Sequence, residues 1–150
     1  VDFSQPGLKG ERIVTESRVV DLGLPVLLAA SMYPVTNDPC TPGGRGFLNV
    51  LDPFTGAGLD TGVLDTDRDG SMDNDRIGAR FIGSVDLDVG VPTQPQLMRR
   101  PDGGATILVG GSGDSTGTQG PSIGQVDTGP GAAKTLKFKG RLAWREVVKE

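Results

Sequence analysis

Pro25-Val26-Leu27-Leu28-Ala29-Ala30-Ser31-Met32-Tyr33-Pro34 is a compact apolar run with a proline at each end, and it reads as a buried strand. Upstream, residues 11–21 hold Ile13, Val14, Val19 and Val20, a β-branched run bounded by Gly10 and Gly23. Downstream, residues 35–45 form a polar loop, and residues 46–51 read as a further strand. That strand is stopped by the turn Asp52-Pro53-Phe54-Thr55-Gly56. Strand character returns at residues 79–85, around Gln96-Leu97-Met98, and in Ala105-Thr106-Ile107-Leu108-Val109. Residues 110–131 are rich in Gly, Ser and Thr and are expected to form a long mobile loop. Between Lys134 and Val148, Leu136, Phe138, Leu142, Trp144 and Val147 supply a last apolar set. Leu136 and Phe138 alternate with Lys137 and Lys139 in the period of a strand. About seven or eight short strands with Gly-rich turns predict an all-β fold of antiparallel strands.

Composition agrees. The 24 Gly and 11 Pro among 150 residues disfavour long helices, and 35% hydrophobic with 5% aromatic content predicts a thin core of Val, Leu and Ile. The length suits one domain or part of a larger one, and the chain is expected to be a single β-module over residues 1–150. It begins at Val1 without a leader pattern, so any signal peptide is expected in a parent chain upstream. No apolar stretch reaches the ~18 residues of a membrane span. A net charge of −4 without a basic stripe makes nucleic acid a poor partner. The chain has no histidine, which removes Ser–His–Asp and Cys–His catalysis and most catalytic zinc sites. Cys40 is the one cysteine, so it either pairs outside this chain or stays a buried thiol.

The chemically informative segment is Asp65-Thr66-Asp67-Arg68-Asp69-Gly70-Ser71-Met72-Asp73, a D-x-D-x-D-G-x-x-D pattern. Carboxylates at alternate positions can turn inward around one hard cation, with Gly70 allowing the sharp turn and the Ser71 carbonyl supplying an oxygen. The predicted metal ligands are therefore Asp65, Asp67, Asp69, Ser71 and Asp73, and the predicted ion is calcium. Magnesium tolerates a crowded loop poorly. The loop is not a complete EF-hand, because Arg76 stands where a bidentate Glu is expected and no helical pattern flanks it. Asp75 is either an extra ligand or a solvent-facing acid. An acidic surface turn without an ion is the plainer alternative.

Other candidates carry less. Gly113-Asp114-Ser115-Thr116-Gly117 resembles a nucleophile segment but has no His to serve as base. Asp86 and Asp88 alternate around Leu87 and are expected to point outward rather than form a hydrolytic pair. Trp144 is expected to anchor a closing strand. Arg99 and Arg100, beside the turn Pro101-Asp102-Gly103-Gly104, are expected at a solvated hairpin end. No catalytic residue is assigned, and the chain is expected not to be an enzyme.

Several pieces occur in a telling order: Gly10-Glu11-Arg12-Ile13-Val14-Thr15, then Asn37-Asp38-Pro39-Cys40-Thr41-Pro42-Gly43-Gly44, then Phe47-Leu48-Asn49-Val50-Leu51-Asp52-Pro53-Phe54-Thr55-Gly56. The acidic loop and Gly140-Arg141-Leu142-Ala143-Trp144-Arg145-Glu146 follow. This order resembles the C-terminal region of PilY-type proteins, the tip adhesins and assembly factors of bacterial type IV pili. The resemblance implies a modified β-propeller whose last blades lie here, with the remainder of the parent chain completing it. It also implies export to the cell surface, a calcium loop that regulates pilus extension and retraction, and roles in twitching motility and surface attachment. Implied partners are minor pilins at the pilus tip and a host or abiotic surface. A second reading is the end of a calcium-dependent quinone-type propeller dehydrogenase, which the Asp52-x-x-Thr55-Gly56 turn also fits. A third is a purely structural extracellular β-domain.

Overall fold

The computed structural model describes residues 10–35, 43–113 and 119–128. The expectations for Cys40, for the Asp114–Gly117 part of the nucleophile-like segment, and for Trp144 with its apolar neighbours lie outside them. Ten strands follow in order: β1 (Arg12–Ile13), β2 (Arg18–Asp21), β3 (Pro25–Val35), β4 (Gly43–Leu51), β5 (Arg76–Ile77), β6 (Arg80–Phe81), β7 (Ser84–Val89), β8 (Gln96–Arg99), β9 (Ala105–Gly113) and β10 (Gln119–Thr128). Every pairing between them is antiparallel. The described residues contain no helix, so the all-β, antiparallel expectation holds.

The proline-bounded run is the centre of the larger sheet. β1 and β2 share one edge of β3, while β4 and then β7 follow on the other side. Strand periodicity puts alternate side chains on one face, so Leu28 lies opposite Val50 and Ala30 opposite Leu48, all sealed from solvent. The opposite face holds Ala29, Ser31 and Asn49, also buried. There the Asn49 side-chain amide donates to the Ser31 hydroxyl across 2.7 Å, and that hydroxyl donates to Glu11. This small polar group is therefore satisfied where burial would otherwise penalise it.

A second sheet, ordered β10-β9-β8, packs over the first. The core lies between them: Val26, Leu28, Leu48, Val50, Leu87 and Val89 from the first sheet meet Ile107, Val109 and Val126 from the second. The chain crosses from β7 to the second sheet through bonds from Gly90 N–H to Gly113 O (2.8 Å) and Thr93 N–H to Gly110 O (2.7 Å). Contact here is close. A Cβ added at Gly111 would stand 2.6 Å from the Val89 Cβ, and one at Gly124 would stand 2.6 Å from the Leu87 Cβ.

That closeness corrects the expectation of a long mobile loop over 110–131 for residues 110–113 and 119–128, while 114–118 and 129–131 lie outside the described residues. Residues 110–113 complete β9, and 119–128 form β10, paired with β9 from Gln119 opposite Gly113 to Thr128 opposite Ala105. Glycine in these strands marks where another sheet approaches rather than where the chain is loose. Three further boundaries shift. β4 begins at Gly43, within the expected loop, because Gly44 and Arg45 pair with Pro34 and Tyr33. The segment 11–21 splits into two short, largely exposed edge strands. The expected strand at 79–85 also divides, since Ile82 N–H bonds to the Asp75 carbonyl (2.9 Å) while the Gly83 carbonyl accepts from Val50 (2.7 Å).

Arg100 is a correction as well. It is buried, not solvated, and its guanidinium pairs with Asp127 on β10 at 2.8 Å and with Asp102 at 3.2 Å. Arg99 is exposed as expected, and it donates to the Asp21 carbonyl across 2.8 Å. Asp86 pairs with Arg45, and Asp88 is exposed while Leu87 between them is buried.

Candidate metal centre

The acidic loop is placed by what precedes it. Val63 and Leu64 are buried in the core, so the next residue starts at the edge of the apolar interior. Asp65 is fixed there by its own amide, which donates to the Asp127 carbonyl on β10 across 2.9 Å. At the far end of the loop, the Asp75 carbonyl accepts from Ile82, and the hairpin of β5 and β6 follows. Start and end are tied together. Asp75 Oδ1 accepts from both the amide (2.9 Å) and the hydroxyl of Thr66.

Between these ties the chain winds so that amides point at carboxylates. Gly70 N–H donates to Asp65 Oδ2 (3.0 Å), Asp69 N–H to Asp67 Oδ1 (3.1 Å) and Ser71 N–H to Asp69 Oδ1 (2.7 Å). The winding needs left-handed backbone at Arg68 (φ 65°) and at Gly70 (φ 89°). Glycine adopts that conformation without steric cost, whereas Arg68 does not. The result brings carboxylate oxygens of Asp65, Asp67 and Asp69 within 4.8 Å of one another. Asn74 Nδ2 lies against two of them, at 2.5 Å from Asp69 Oδ2 and 3.4 Å from Asp67 Oδ2.

The carboxylates are not equivalent. Burial pushes the Asp65 pKa above the ordinary aspartate value, opposed by the amides of Gly70 and Arg68 and reinforced by the charges of Asp75 and Asp67. Exposed Asp69 shifts the other way, chiefly through the Ser71 amide and then the Asn74 side chain. Asp65 and Asp75 are only 2% and 5% exposed, yet Asp65 Oδ1 and Asp75 Oδ2 have no hydrogen-bond partner among the described residues. A buried carboxylate oxygen without a donor is costly, and either a proton or a bound cation removes that cost. The donors gathered here are hard oxygens, which suit calcium and magnesium rather than thiophilic metals.

Of the residues singled out from the sequence, Asp65, Asp67 and Asp69 are brought together. The Ser71 hydroxyl accepts from the Asp73 amide at 3.3 Å, inside the turn. Asp73 is exposed and lies outside the cluster of three, and its carbonyl accepts from Arg76 Nε at 2.8 Å. Arg76, at the twelfth position, stacks its guanidinium 3.8 Å from the Phe81 ring centroid. The solvent-facing alternative for Asp75 is corrected, because the Thr66 contacts and the following hairpin hold it inside. Sequence reasoning missed Thr66 and Asn74. The available signal was positional: Asp75 is the last acid before strand pattern resumes, where a closed loop must meet its own start.

No family model, curated protein or solved structure matches the chain.

Proposed function

We propose that the chain is a non-catalytic, calcium-binding interaction module from the tip of an extracellular type IV pilus. One observation carries the calcium part: the buried, undonated Asp65 Oδ1 belongs to a carboxylate that meets Asp67 and Asp69. Calcium takes six to eight oxygens in irregular arrangements, and the loop offers closely spaced carboxylates. In an extracellular setting a dissociation constant on the order of 10⁻⁴ to 10⁻³ M suffices. The absence of histidine supports a binding role over catalysis.

The pilus assignment rests on the order of sequence motifs. It is supported by two consecutive meanders, β2-β3-β4-β7 and β8-β9-β10, stacked face to face as neighbouring propeller blades are. In this reading they are the last blades of a modified propeller whose remainder belongs to the parent chain. The acidic loop and the β5–β6 hairpin are then an insert between β4 and β7. The ion closes the insert, offsets the entropy of ordering it, and fixes a surface for minor pilins. Pilus assembly, twitching motility and attachment to host or abiotic surfaces follow from that docking.

The test is calcium titration calorimetry on the chelated chain beside an Asp67→Ala/Asp69→Ala variant. The expected result is one ion per wild-type chain and none in the variant, and a folded wild-type chain that binds no calcium overturns the metal reading. Immobilised chain is then offered minor pilins in calcium and in chelator. Calcium-dependent retention is expected, and no retention in either buffer overturns the pilus reading.

A further inference from the structure

We propose that Asp75 is a fourth carboxylate ligand of the cation, in the role that the ninth-position Asp73 is expected to fill. The inference rests on the cation reading of the loop and changes its ligand set. Asp73 is exposed, and its main chain is occupied on both sides by Ser71 and Arg76. Asp75 is 95% buried by its 5% exposure, and its two oxygens have different circumstances. Oδ1 is held by the amide and hydroxyl of Thr66, which orients the carboxylate, while Oδ2 accepts nothing.

Thr66 is the residue directly after Asp65, so the bonds that orient Asp75 also hold it beside the first position of the loop. Asp65 has the same arrangement: Oδ2 is occupied by the Gly70 amide and Oδ1 accepts nothing. Two buried carboxylates thus each have one oxygen tied down and one without a donor, and the charge of Asp75 acts on Asp65. A divalent ion shared between them supplies the missing partner for both oxygens at once. Asp67 and Asp69 group with Asp65, and Asp75, which lies outside that group of three as Asp73 does, closes onto the ion from the buried side.

A second consequence concerns the hairpin. The Asp75 carbonyl holds Ile82, and Arg76 stacks on Phe81, so a ligand at Asp75 ties ion occupancy to β5 and β6. A ligand at exposed Asp73 would reach the hairpin only through the Arg76 side chain that donates to its carbonyl.

The test compares Asp75→Asn with Asp73→Asn, which remove the same charge from the same loop. Asparagine at 75 keeps an acceptor for Thr66, so the structural bond survives. Calcium affinity is measured by calorimetry. Terbium bound in the site is then followed by luminescence lifetimes in light and heavy water, which count the waters on the ion. Asp75→Asn is expected to weaken calcium by about tenfold or more and to add a bound water, while Asp73→Asn changes affinity by less than about threefold. Equal weakening with an unchanged water count in both variants overturns the assignment of Asp75 and leaves the metal reading intact. A wild-type chain that binds neither ion overturns both. Should Asp75→Asn fail to fold, Asp75→Glu keeps the charge, moves the carboxylate by one methylene, and serves in the same comparison.

Discussion

The amide of Asp65 donates to the carbonyl of Asp127 across 2.9 Å, so the first position of the acidic loop is fastened to β10. The side chain of that same Asp127 accepts from the Thr106 hydroxyl at 2.5 Å and pairs with Arg100 at 2.8 Å. Acidic loop and buried ion pair thus meet at one residue of the second sheet.

Arg100 is the group on which this junction depends. Its guanidinium also donates to the carbonyls of Ala105 (3.1 Å) and Thr128 (3.5 Å), joining the ends of β9 and β10. Removing one partner of a buried pair leaves the other charge uncompensated, at a cost of about 3–5 kcal/mol. Arg100→Ala is expected to lose that much stability in urea unfolding, whereas exposed Arg99→Ala loses less than about 1 kcal/mol. Equal losses would show that the buried pair has no special weight.

What could be read from the sequence depended on whether the reason for a residue lay near it. Val26 to Tyr33 declares itself a strand because its apolar content and its prolines are local. The clustering of Asp65, Asp67 and Asp69 is local too, since alternate carboxylates before a glycine are drawn together within one turn. The reason for Gly111 and Gly124 is not, because what forbids a side chain there is β7, distant in sequence. Arg100 looks like a surface charge until β10 brings Asp127 to it. Asp75 looks like the tail of an acidic run until Thr66 and Ile82 enclose it.

Those glycines provide a second prediction. A methyl group at Gly111 or Gly124 must displace Val89 or Leu87, both in the core between the sheets. Overpacking of this kind costs about 1–3 kcal/mol, so Gly111→Ala and Gly124→Ala should each lower the urea midpoint clearly. Gly58 has nothing within 4 Å of its added Cβ, and Gly58→Ala should be neutral or stabilising by up to about 1 kcal/mol. A neutral Gly124→Ala would mean that the sheets are less tightly packed than described.

Calcium should raise the melting temperature in proportion to the logarithm of its concentration once the site is saturated. At a hundred times the dissociation constant the gain is about 2.7 kcal/mol, provided the unfolded chain does not bind. Magnesium at equal concentration should give a smaller shift, because it gives up its waters reluctantly. Scanning calorimetry across a calcium series, with a magnesium series beside it, checks both. Identical shifts would point to screening of surface charge rather than a fitted site.

Without an ion, Asp65 should cost the fold stability at neutral pH. Its pKa in the folded state is raised above 3.8, mainly by burial. The native chain therefore holds that proton more tightly than the unfolded chain does. The contribution of Asp65 is most favourable below the ordinary carboxylate value and declines as pH rises through the raised one. Asp65→Asn removes the charge while keeping an oxygen for the Gly70 amide. In chelator at pH 7 the variant should be more stable than wild type, because the ionised carboxylate is the form that burial disfavours. The gap should close as pH falls through the carboxylate range and disappear below about 3.8, where both chains are uncharged at this position. In calcium the order should reverse, because the variant has lost a ligand charge that the ion needs. Urea unfolding of both chains at several pH values, in chelator and in calcium, reads all of these changes. A variant less stable than wild type in chelator at pH 7 would show that Asp65 is satisfied without a cation, and the case for the metal centre would lose its central observation.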